Sequence, residues 1–284
     1  MKELLKDVLI DTLKILPFLY MAFLIIEYIE NKFSKEKQEK ILKKQTYGPL
    51  LGGLLGVIPQ CGFSVLATNL FSSRVITLGT LIAVYLSTSD EMLPLLLAGN
   101  VSILKSVKLV LFKALIGIIF GYIIDVITKK FISVKVKKES INDMCETNHC
   151  HCHDSIFKGA LKHALNITLY IFMANLLLSL LINYIGNDKI MTFVSKGGVL
   201  SYFLSSLVGL IPNCASSVII TELYLNNVLS LGNMFSGLLT GCGMGLLVLF
   251  RTNKNLKENI FILMAIYVIG VISGYIIDII GLVI

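Results

Sequence analysis

Apolar positions along this chain fall into long blocks separated by short polar stretches. The blocks run over about 8–29, 48–72, 75–99, 106–128, 161–184, 198–225, 228–250 and 258–281. Runs such as Ile15–Ile26, Leu109–Ile124 and Ile260–Ile280 approach or reach the ~20 apolar residues that cross a hydrocarbon core as a helix. None resembles the alternating ten-residue strands of a membrane barrel. The pattern predicts an all-α integral membrane protein. The opening block is too long for a cleaved signal peptide and lacks a small-residue cleavage site, so it reads as the first transmembrane helix.

Several blocks are interrupted. Pro59 breaks the block at 48–72 and Pro212 the block at 198–225. The stretch 48–72 is too short for two full crossings at ~1.5 Å per residue, so a Pro-broken, re-entrant hairpin is expected there. The blocks at 75–99 and 228–250 are interrupted by Ser87-Thr-Ser-Asp-Glu91 and by Thr240-Gly-Cys-Gly243.

The interruptions recur because the chain repeats itself. A shift of 153 positions lays Gly56-Val-Ile-Pro-Gln-Cys61 on Gly209-Leu-Ile-Pro-Asn-Cys214, and 11 of the 24 positions from Gly56 to Gly79 are identical. About two or three would coincide by chance in so biased a composition. The same shift superposes Gly117-x-x-x-Gly121-Tyr-Ile-Ile-Asp125 on Gly270-x-x-x-Gly274-Tyr-Ile-Ile-Asp278. A shift of 156 aligns the opening helices through Lys6/Lys162, Thr12/Thr168 and Tyr28-Ile29/Tyr184-Ile185. The expected organisation is a first membrane repeat over 1–130, a basic Cys/His-rich linker over 131–155 and a second membrane repeat over 156–284.

Composition agrees with a lipid environment. Of the 284 residues, 55% are hydrophobic and only 15% charged, against roughly 25% charged in soluble domains. The net charge of +7 lies mostly in loops, where lysine sets topology; the expected partner is the bilayer, and no nucleic acid. Lys32, Lys35, Lys37, Lys40, Lys43 and Lys44 follow the first helix, and Lys129, Lys130, Lys135, Lys137 and Lys138 open the linker. Both loops, the central one included, are expected in the cytoplasm of a multi-pass cell-membrane protein. The stretch 186–197 balances only Lys189 and Lys196 against Asp188, which suggests the opposite side. The repeats are therefore expected to be inverted, an architecture that places a solute site near the bilayer midplane at broken helices. Broken helices expose backbone polar groups, which lipid tolerates only where they line a cavity or bind something.

Candidate chemistry gathers at the breaks. The paired Pro motifs bring Gln60, Cys61, Ser64 and Asn213, Cys214, Ser217. Proline frees carbonyls, the amides offer donors and acceptors, and the thiols are soft ligands. Cys242 adds a third thiol. These seven are the candidate substrate-binding residues; the plainer alternative is a helix kink with cysteine as small apolar packing. Asp90 and Glu91 are candidates for proton or cation coupling, because charges within membrane segments mark ion paths or proton relays; the alternative is a turn at the membrane surface. Asp125 and Asp278 read as structural, and the Gly-x-x-x-Gly pairs as close-packing sites between helices. In the linker, Cys145, His149, Cys150, His151, Cys152 and His153 form a compositional metal-binding tract without the paired spacing of a folded zinc ribbon; a bound metal is possible there, and no other cofactor is required. No phosphate loop, H-E-x-x-H or Ser/His/Asp set occurs, so an enzyme is not expected.

The duplicated I-P-[QN]-C motif, Ser87-Thr-Ser-Asp-Glu91 in one half, Gly241-Cys-Gly243 in the other and the basic His/Cys linker resemble the ten-helix heavy-metal exporters, a group also labelled arsenic efflux proteins or manganese transporters. The resemblance covers nearly the whole chain. It implies a plasma-membrane permease exporting a heavy metal or metalloid, with ten spans where the pattern favours three crossings and a hairpin per half; five crossings per half, the broken segments counted as spans, is the alternative, and either count keeps the halves opposite in orientation. A manganese-type divalent cation is the alternative substrate, and a membrane-bound metal sensor or scaffold the alternative of a different class.

Overall fold

The computed structural model describes residues 9–10, 12–13, 16–17, 19–21, 23–24, 47–58, 62–88, 92–99, 101–131, 156–185 and 198–281. Every element among them is helical. In chain order these are α1 (Gly48–Gly56), α2 (Gly62–Ser72), α3 (Leu78–Ser87), α4 (Met92–Ala98), α5 (Ile103–Phe131), α6 (Ile156–Ile185), α7 (Val199–Gly209), α8 (Cys214–Leu225), α9 (Leu231–Thr240), α10 (Gly245–Thr252) and α11 (Leu256–Ile280). Among the described residues four stretches are long and apolar enough to cross a membrane: Leu78–Ala98, Ile103–Thr128, Leu231–Thr252 and Leu256–Ile280. Leucine and isoleucine line the outward faces of α5 and α11, with Leu111, Leu115, Ile119, Ile272, Ile276 and Ile279 all exposed. Such faces suit lipid, because water would penalise so much bare apolar surface.

Small residues set the packing. A methyl group added at Gly117 would stand 2.9 Å from the Ala83 carbonyl oxygen, and one at Gly121 2.6 Å from that of Gly79. Hence α3 and α5 run antiparallel with their backbones nearly touching. Gly270 and Gly274 lie in the same way against Ser236 and Gly232, so α9 and α11 repeat the arrangement. Close approach of this kind is what the small-xxx-small spacing supplies where the hydrophobic effect does not drive helices together.

Within each half the chain also turns back on itself. Gly52 abuts Thr80 and Gly56 abuts Val84 and Ser87, so α1 runs parallel to α3. In the second half Ser236 donates to the Tyr202 carbonyl at 2.8 Å and Thr240 to that of Ser206 at 2.9 Å, so α7 runs parallel to α9. Between them α8 runs the other way, with Ser217 beside Gly241 and Ile220 beside Gly237. The chain therefore reverses over residues 210–213, where Pro212 ends helical hydrogen bonding. Arms of 9–12 residues are about half a bilayer long at ~1.5 Å per residue.

The 153-residue shift found in the sequence reappears in contacts. Asp125 on α5 accepts from the Gly79 N–H at 2.8 Å and from Thr77 Oγ1 at 2.8 Å. Asp278 on α11 accepts from the Gly232 N–H at 2.7 Å, from Tyr202 at 2.8 Å and from Ser230. Each carboxylate thus covers the exposed amides that open a neighbouring helix, the end where the helix dipole favours a negative charge. The helix stops match as well. Arg74 and Asn227 both take a φ of 57°, and Val75 N and Val228 N reach back to the carbonyls of Leu70 and Leu223, which ties off the last turns of α2 and α8.

The halves interlock through exchanged helices. In the contact of α2 with α10, Ser72 meets Thr252 at 2.7 Å; in that of α8 with α4, Leu225 meets Gly99 at 2.8 Å from an added methyl. Beyond the first of these contacts Arg74 makes a two-bond pair with Glu258, both distances 2.8 Å. From the opening helix, Leu19 and Phe23 pack with Val65, Ala164, Ile171, Met244 and Val248, joining α2, α6 and α10.

Candidate functional site

The inner ends of α2, α3 and α8 approach the break between α9 and α10, where Ser64 and Tyr85 meet Gly245 and Ser217 meets Gly241. At the second break α9 stops at Thr240 and α10 begins at Gly245, with Gly243 at a φ of 54°, a backbone shape that glycine adopts without penalty. The Thr240 carbonyl, left over at the helix end, accepts from Cys242 N at 2.9 Å and from Cys242 Sγ at 3.2 Å. Cys242 is 2% exposed and lies in the main apolar core.

Residues from both halves surround this break. Ser64, fully buried at the start of α2, packs against Gly245, where an added methyl would lie 3.0 Å from its Cβ. Gly245 leaves the gap that α2 fills. One turn on, Thr68 Oγ1 lies 2.6 Å from the Ser64 carbonyl and 3.2 Å from that of Gly245. It also lies 2.5 Å from the hydroxyl of the fully buried Tyr85. A threonine hydroxyl has one proton, so Thr68 divides it between its own helix and the other half of the molecule. From within the second half, Ser217 approaches Gly241. Asn213 N-caps α8, its side chain accepting from Ala215 N at 3.0 Å, and Cys214 opens the helix half-buried. The structure thus gathers Ser64 and Ser217 with Cys242 around one break, and sets Asn213 and Cys214 at the head of the helix that carries Ser217.

Gln60, Cys61, Asp90 and Glu91 lie outside the described residues, as do the linker residues Cys145, His149, Cys150, His151, Cys152 and His153. Among the described residues no three His, Cys, Asp or Glu side chains are grouped to hold a metal ion.

One residue at the first break escapes a reading by hydropathy. Lys113 sits in the middle of α5, 1% exposed, and its Nζ donates to the carbonyl of Thr88, the residue that caps the C-terminal end of α3. A single lysine disappears into the average of the apolar run Leu109–Ile124. The signal that exposes it is the one charge within the run Leu109–Ile124, since a charge inside a membrane segment marks a functional candidate.

Fold and composition together define an α-helical, multi-span membrane protein with interrupted helices. The family model described as "Putative, 10TM heavy-metal exporter" matches residues 3–185, more than half of the chain. The chain belongs to that family of membrane exporters. No curated protein and no solved structure matches it.

Proposed function

We propose that this protein is a secondary exporter of a thiophilic metal or metalloid, of the arsenic(III) type, working by alternating access between two inverted halves. One observation carries the reading: Ser64 of the first half and Ser217 of the second reach the same break, the one that bears Cys242. Inversion is supported by how the halves meet. Phe112, next to the lysine of α5 that meets Thr88 at the first break, meets Phe235 of α9 with ring centroids 5.5 Å apart. Further along, Gly245 meets Tyr85, and at the α3 entry end Thr252 meets Ser72. The path α9–α10 thus descends where α3 rises. Hairpins α1–α2 and α7–α8, entering from opposite faces, would then be the re-entrant elements.

In this reading Cys61, Cys214 and Cys242 supply soft ligands, with Gln60, Asn213, Ser64 and Ser217 as the polar shell. Thiolates suit As(III), Cu(I) and Zn(II), whereas Mn(II) prefers oxygen. Asp90 or Glu91 couples export to an ion gradient. The linker faces the cytoplasm and captures metal ahead of transport through its Cys/His tract.

The test is efflux from cells and everted vesicles against a panel of As(III), Zn(II), Cd(II) and Mn(II), comparing wild type with Cys61→Ser, Cys214→Ser and Cys242→Ser. Loss of As(III) export with normal membrane levels is expected for Cys61→Ser and Cys214→Ser. Full export by both sinks the thiol site. Loss of Mn(II) export confined to Asp90→Asn turns the assignment to a hard cation. If removing residues 145–153 abolishes a cellular metal response while wild-type vesicles show no flux for any ion, the protein is a sensor.

A further inference from the structure

The two α3-type helices end against different chemistry. In the second half, the Thr240 carbonyl at the end of α9 is met by the thiol and amide of Cys242, groups without formal charge. In the first half, the Thr88 carbonyl at the end of α3 is met by the ammonium of Lys113. Shifting by 153 places Ile266 where Lys113 stands, and Ile266 is fully buried on α11. The same shift places Gly243 and Met244 where the first half has Asp90 and Glu91. The positive charge and the acidic pair are therefore additions to the same half, and the other half has neither.

We propose that Lys113 is a built-in cation. Its ammonium occupies the carbonyl end of α3, a position that attracts positive charge through the helix dipole; a hard metal ion, which seeks oxygen ligands, would be drawn to the same carbonyl. The first break is thereby closed to metal, and the exported ion is left to the thiol-bearing second break. Lys113 acts as a specificity-determining residue: it selects against hard cations by filling their place. This rests on the exporter reading and adds the reason why a chain with an acidic pair at one break would still carry a soft species.

Removing the ammonium while keeping the apolar stem should open the place to a divalent ion. The full chain, purified in detergent as wild type, Lys113→Met and Lys113→Arg, is melted with and without Mn(II), and Mn(II) retention is measured by equilibrium dialysis. Lys113→Met is expected to melt several degrees lower than wild type without metal, to recover with Mn(II), and to retain more Mn(II) per chain than wild type. Wild type and Lys113→Arg, with the charge in place, should show neither effect. A Lys113→Met protein whose melting and Mn(II) retention match wild type overturns the proposal. So does a variant that cannot be recovered folded in either buffer while Lys113→Arg can, since the side chain would then be structural. Neither measurement involves flux, so absence of export in vesicles would sink the exporter reading without altering this outcome.

Discussion

The two halves share a scaffold and differ at its centre. On the scaffold side, Asp125 and Asp278 make the same bond to the first amides of α3 and α9, and glycines hold the same helix pairs together. At the centre, one break carries Lys113 on a helix-end carbonyl and the other carries Cys242. The matched positions keep the residues that packing demands, since two backbones in contact leave room for one answer. The interior ends of the broken helices are constrained only by the need to satisfy a few carbonyls, and a lysine or a cysteine does that equally well. Charge is therefore free to diverge there.

Disrupting the shared part should affect both halves severely. A side chain at Gly79 or Gly232 would meet the Asp125 or Asp278 carboxyl carbon at 2.5 Å and the partner helix backbone as well. Gly79→Val and Gly232→Val should each destabilise by about 3 kcal/mol or more through overpacking, with loss of the monodisperse peak in fluorescence-detected size exclusion. A well-folded variant of either would show that the close approach is not required.

The carboxylate caps come next. Asp125→Ala leaves a buried N–H and a threonine hydroxyl without their acceptor, and Asp278→Ala removes three donors' partner. Each should cost about 2–4 kcal/mol, charged hydrogen bonds being worth about 1.5–3 kcal/mol each, and each should lower the melting temperature. Asp125 is the more deeply buried, at 6% exposure, so its loss should be the larger of the two; a reversed order would separate the halves where they are held to be equivalent.

Tyr85→Phe tests the polar contact around Thr68. The matched residue in the second half is Leu238, so the hydroxyl is dispensable to the scaffold. Its removal should cost about 1 kcal/mol in thermal denaturation. A smaller effect still is expected from the Arg74–Glu258 pair, whose side chains are 31% and 22% exposed. Glu258→Gln should cost at most about 1 kcal/mol, and the difference from wild type should shrink with added salt. The matched positions are Asn227 and Lys105, which cannot form such a pair, so the halves should differ in this salt response.

Sequence alone determined the solvent, the element type and the repeat. Block length and scarcity of charge demand lipid-embedded helices, because without the alternating strands of a closed barrel only a helix satisfies its backbone there, and the shift of 153 locates the breaks and the glycine contacts. The closing helices were expected over 106–128 and 258–281 and run over Ile103–Phe131 and Leu256–Ile280, since hydropathy fades at polar ends before helical hydrogen bonding does. What only tertiary structure decided is which ends meet. The joining of Ser64 to Gly245 depends on exchange of α2 and α10 between halves, a contact far apart in the chain that no local pattern encodes. The work of Asp125 as a cap, and the seat of Lys113 on Thr88, likewise follow from where another helix ends in space. A charge in a membrane helix announces that it needs a partner; only the packing supplies one.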